Sequence, residues 1–158
     1  MTKTLGISTF AIIGLTAACV LAAEFPPSGQ AEYVTYYVIE DKASIDGGVG
    51  SGTISILTGI NRNVQGEGPF HDMAVECLSH STMIAGQWMQ YASCVETDQD
   101  GDNGFTTSDD KYHYIVGGTG KYHGITGTVP YTVRELHQTA SGRYAVVVNH
   151  KASWTVKP

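Results

Sequence analysis

Apolar and polar residues alternate along most of this chain, and almost nothing repeats at helical spacing. Seven segments rich in β-branched and aromatic residues stand out: 31–39, 49–60, 68–80, 86–97, 111–116, 124–137 and 142–156. Most of the 19 glycines fall between these segments or at their ends. Even spacing of short strands and glycine turns predicts an all-β barrel or sandwich. The last segment separates its faces. Tyr144, Val146, Val148, His150, Ala152, Trp154 and Val156 share one side, and the opposite side is more polar. Closure into a barrel leaves no exposed edge on so β-prone a chain, which favours the barrel.

The middle of the chain fixes a register. If Ala85-Gly86 is a two-residue hairpin turn, Ile84 faces Gln87, Met83 faces Trp88 and Cys77 faces Cys94. Counting outward from the turn puts the cysteines on a non-hydrogen-bonded pair, the closer kind, which suits a disulfide. The competing reading is two buried free thiols. The same register places His71, Met73, Val75, Cys77, Trp88, Ala92, Cys94 and Glu96 on one face. Extended further, it sets His71 opposite Asp100 and Met73 opposite Asp98.

The N-terminus carries a different pattern. A short basic start, Lys3, precedes the apolar run "TLGISTFAIIGLTAACVLAA", and "EFPPSG" breaks it. This reads as a secretory signal peptide over residues 1–23, cut after Ala23. Retention as a membrane span and lipoprotein processing before Cys19 are the competing readings. Residues 24–30 are expected to be a flexible lead, and 31–158 a single barrel domain. Export puts the chain in a secreted or periplasmic compartment, where Cys77 and Cys94 can pair.

Charge narrows the functions. The net charge is −6 at pH 7, and loss of the signal, whose one charged residue is Lys3, makes the chain more acidic. Nucleic-acid binding needs clustered Lys and Arg, which are absent, so it is excluded. No polybasic or amphipathic membrane anchor follows the signal.

"GGTGKYHGITGTVPYT" (117–132) carries a family resemblance. Gly117, Gly118, Thr119, Gly120, Lys121, Tyr122, Gly124 and Gly127 resemble the glycine turn of secreted allene-oxide-cyclase-like and dirigent-like barrels. The resemblance implies an eight-stranded antiparallel barrel, often oligomeric, with a cavity in its mouth for an apolar or aromatic small molecule. It implies cyclisation or guided coupling without an organic cofactor. No catalytic residue of that group is carried onto this chain.

Candidate chemistry is sparse. His71 and Glu96 share the hairpin face, and His150 lies on the apolar face of the last strand, so these three are the candidate proton carriers. Trp88, Tyr144 and Trp154 are the candidate ligand-binding aromatics. Each histidine has a plainer reading: a surface ion pair for His71, a satisfied core group for His150. "DQDGDNGFTTSD" (98–109) spaces Asp98, Asp100, Asp102 and Asp109 like a calcium loop, but Asn103 holds the glycine position and strands flank it, so a turn is the preferred reading. No metal ligand set is assigned, because HxH and HExxH spacings are missing and the two cysteines are expected to pair with each other. The leading expectation is an isomerase, cyclase or lyase acting on an aromatic molecule. A non-catalytic binding module and a structural oligomeric barrel are the alternatives.

Overall fold

The computed structural model describes residues 25–157, so the expected signal segment lies outside the described residues. Eight antiparallel strands follow each other round a closed barrel. They are β1 (Ser28–Asp46), β2 (Gly50–Asn63), β3 (Met73–Ile84), β4 (Gln87–Thr97), β5 (Asn103–Ser108), β6 (Tyr112–Gly118), β7 (Ile125–Glu135) and β8 (Tyr144–Val156). Each strand pairs with its sequence neighbours, and β8 closes the wall against β1 with Tyr33 opposite His150. The expected all-β barrel is therefore what forms.

Alternation decides which side chains face inward. On β3, Met73, Val75, Cys77 and Ser79 are buried, while Ala74, Glu76, Leu78 and His80 are exposed. The β3–β4 turn is Ala85-Gly86 as expected, both with positive φ, and Cys77 faces Cys94. The disulfide forms, with Cα atoms 4.0 Å apart.

Three expectations need correction. The β3–β4 ladder ends at Ala74–Thr97, so His71 does not stand opposite Asp100. The chain before Met73 turns instead through Phe70 and Asp72, both with positive φ. The lead expected to be loose over 24–30 is strand from Ser28, and Phe25 packs on the core. Finally, 103–108 is a strand. Its inward residues, Gly104, Thr106 and Ser108, are small or polar, so it lacks the apolar alternation of its neighbours.

β5 also settles the geometry of the aspartates. Asp98 and Asp109 sit at its opposite ends, roughly 20 Å apart at strand spacing. Asp98 Oδ1 accepts from the N–H groups of Asp100 and Asp102, at 2.9 and 3.1 Å. Lys121 Nζ lies 2.8 Å from Asp98 and 2.6 Å from Asp100. Burial pushes the Asp98 carboxyl up, but Lys121 and the turn N–H groups outweigh it and hold it below its ordinary value. Asp109 caps the β5–β6 turn, accepting from the N–H groups of Lys111 and Tyr112 at 2.8 Å each.

The glycine turn locks onto this aspartate loop. Gly120 has φ +51, and a Cβ there would lie 1.8 Å from Asp102 Oδ1. Gly120→Ala combines backbone strain with that clash and should cost about 2–3 kcal/mol in urea unfolding. An unchanged midpoint would show that the Asp102 loop is free to move away.

Candidate functional site

The interior is layered along the barrel axis. One end is sealed by aromatics. Phe25 packs edge-on against Tyr122 with ring centroids 4.9 Å apart, and Phe70 meets Trp154 at 5.3 Å. Trp154 Nε1 donates to the Pro26 carbonyl at 3.1 Å, tying the N-terminal lead across this end. Met73, Ile125 and Val129 complete the seal.

Above the seal lies a buried polar layer. Glu96 is 4 % exposed. Its carboxylate accepts from Asn61 Nδ2 at 2.8 Å and from Thr106 Oγ1 at 3.2 Å. Thr35 Oγ1 donates to Asn61 Oδ1 at 2.5 Å and lies 3.3 Å from His150 Nδ1. His150 stacks on Tyr33, centroids 4.5 Å apart. Burial raises the Glu96 pKa to about 7, against the pull of the Thr106 and Asn61 hydrogen bonds. Burial, with His113 nearby, pushes His150 well below the usual histidine value.

Next comes an apolar layer of Tyr37, Leu57, Val75, Val146, Val148 and the disulfide. It surrounds a recess of about 80 Å³, lined also by His113, Tyr131, Ser108 and Gln90. The recess opens into a mouth of about 370 Å³, and Ile39, Leu57, Gln90 and Val146 belong to both. Trp88, Tyr144 and Leu136 supply apolar surface around the mouth, and Ser55, Ser79, Ser81 and Asp41 supply polar groups. Some of these are already engaged: Ser55 Oγ donates to Asp41 at 2.7 Å, and Gln90 Nε2 to Ser79 at 3.3 Å. The volume lies within the range of small-molecule sites, and an apolar lining with a few placed polar groups is typical of them.

Glu96 and His150 therefore share one buried layer, linked through Asn61 and Thr35. His71 stands apart. Its Nδ1 accepts from the Asn63 N–H at 3.2 Å, and its Nε2 lies 3.2 Å from Asp72. Of the expected aromatics, Trp88 and Tyr144 line the mouth, whereas Trp154 belongs to the sealed end. Sequence reasoning missed His113, Tyr37 and Tyr131. A signal was present in "YHYIV", where His113 alternates in step with Ile115 and so shares its inward face.

A solved structure, that of the pterocarpan synthase dirigent protein GePTS1, superposes with a TM-score of 0.50. The match covers 84 % of this chain and 88 % of that one, at 12 % identity. This chain folds as a dirigent-like barrel. At that identity the likeness concerns the fold. No family model and no curated protein matches the sequence. In this dirigent-like barrel the glycine turn that carried the expected resemblance joins β6 to β7 at the sealed end, away from the mouth.

Proposed function

We propose that this dirigent-like barrel is an exported protein that takes an aromatic small molecule into its open mouth and holds it in one orientation. The observation that carries this reading is the mouth itself. One end of the barrel is plugged by Phe25, Phe70, Tyr122 and Trp154, while the other opens through Trp88 and Tyr144 into a narrowing, mostly apolar recess. A recess that narrows admits one end of an elongated molecule first, which fixes its direction. The solved neighbour is named for pterocarpan synthesis, which agrees with an aromatic ligand here. The disulfide agrees with an oxidising, exported setting.

Orientation of a bound molecule fits the geometry better than acid–base turnover by His71, Glu96 and His150. None of the three lines the mouth or the recess. The outer wall of β1 to β4 exposes Tyr36, Val38, Leu78, Tyr91 and Val95, and a homo-oligomer would form on that face.

The chain has two tryptophans, and they report on opposite ends. A panel of mono- and bicyclic aromatic alcohols and ethers should change Trp88 fluorescence in the parent and in Trp154→Phe, and not in Trp88→Phe. Trp88→Ala should weaken the best ligand about tenfold or more, as loss of an aromatic anchor does. No response to any probe, or a response that survives Trp88→Phe, would overturn the reading.

A further inference from the structure

We propose that His113 is the specificity-determining residue of the recess. It presents an unprotonated ring nitrogen there and selects ligands whose leading end carries an O–H or N–H donor. This rests on the mouth being a ligand site, and it adds which end of the molecule goes in and why.

The buried polar network starts at Glu96. Both carboxylate oxygens accept, one from Asn61 Nδ2 and one from Thr106 Oγ1. With its amide nitrogen turned to Glu96, Asn61 offers its carbonyl to Thr35, whose single hydroxyl proton is used there. Thr35 can then only accept from His150, so Nδ1 of His150 carries the proton. Nε2 is left as a bare acceptor. It is buried and meets no hydrogen-bond partner among the described residues, in a side chain 2 % exposed. A buried acceptor in that state calls for a donor.

The neighbouring ring is His113, centroid 4.9 Å away, and Tyr131 packs near both, 4.5 Å from His113 and 6.3 Å from His150. His113 lines the recess, and His150 does not. A neutral histidine has one N–H and one bare nitrogen. Burial lowers the His113 pKa to about 4, so the ring is neutral at ordinary pH. If its N–H is given to His150, its other ring nitrogen is left bare for a ligand in the recess. Tyr131 gives its hydroxyl proton to the Asp109 carbonyl at 2.7 Å, so toward the recess it offers an acceptor and no donor. A site with a buried acceptor rejects an analogue that lacks the donor more strongly than an apolar pocket discriminates by size.

Two probes of the same shape test this: 4-propylphenol and its methyl ether, 4-propylanisole, titrated into the mature chain. The parent should bind the phenol at least about tenfold tighter, as a buried hydrogen bond of about 1.4 kcal/mol requires. His113→Phe should abolish the preference while still binding the ether. Thr35→Val should reduce the preference, and Thr35→Ser should retain it, because only the serine restores the hydroxyl that fixes His150. Nitrogen-15 NMR of the unmutated protein supplies a readout that needs no variant. His150 should carry its proton on Nδ1, and the phenol, not the ether, should shift the His113 ring nitrogens. Equal binding of the two probes, or a proton on His150 Nε2, would overturn this inference and leave the binding mouth standing. Failure of both probes to bind would overturn the binding mouth and this inference with it.

Discussion

Glu96→Gln should be more stable than the parent at pH 8, by up to about 3 kcal/mol. The physical reason is the burial of a carboxyl group with no cation beside it among the described residues. Burial raises its pKa from 4.5 to about 7, and the hydrogen bonds from Thr106 and Asn61 offset only part of that. Each unit corresponds to about 1.4 kcal/mol. The folded state holds the proton more tightly than the unfolded chain. The contribution of Glu96 to stability is thus complete below pH 4.5 and is lost as pH rises through about 7. Gln keeps the shape and the acceptor for Asn61, and its amide can donate to Thr106. It carries no charge at any pH. Urea unfolding of parent and variant at pH 5 and pH 8 reads the effect, because the difference between the two proteins should grow with pH. The histidines act in the opposite direction in both proteins. Burial lowers the His113 pKa to about 4, so its contribution is present above the ordinary histidine value and is lost as pH falls toward 4. That term cancels in the comparison. A constant difference across pH would show that Glu96 is not buried in charged form in the folded protein.

Removing the disulfide has an effect of similar size by a different route. Cys77 and Cys94 lie 17 residues apart, so the bridge restricts a short loop of the unfolded chain. Loss of that restriction costs about 3 kcal/mol in the entropy model. The sulfurs also pack inside the barrel, with Cys77 Sγ 3.8 Å from the Tyr37 hydroxyl, at the wall of the recess. The Cys77→Ala/Cys94→Ala double variant should therefore unfold at clearly lower urea concentration and should also show altered ligand affinity. Reductant should lower the parent's midpoint toward that of the variant. A loss below about 1 kcal/mol would mean that strand pairing on both sides of the hairpin already supplies the restriction.

The hairpin was the most legible part of the fold in the sequence. One turn, Ala85-Gly86, fixes every partner from Ile84–Gln87 back to Cys77–Cys94, because strand parity admits no half step. Closure was legible from the exposed edges that so β-prone a chain would otherwise leave. The strand over 103–108 was not, because a barrel positions inward residues by register, and Gly104, Thr106 and Ser108 give no hydrophobic signal. The site was half legible. Trp88 and Tyr144 lie at the mouth because they fall on inward faces near strand ends. Trp154 has the same parity, but it lies near the other end of its strand and joins the seal. Sequence parity gives the face, and height along the barrel comes only from the stagger of all eight strands. His71 is separated from Glu96 for another reason: the chain turns at Phe70 and Asp72 before β3 begins at Met73, so strand parity does not reach it.

Carbon-13 methyl NMR of the barrel during titration with the tightest aromatic ligand shows directly which end takes the ligand. Shifts are expected at Ile39, Leu57 and Val146, which line the mouth and the recess, and none at Ile125 and Val129, which pack in the sealed end. Shifts at Ile125 and Val129, or none anywhere at saturating ligand, would contradict binding in the mouth.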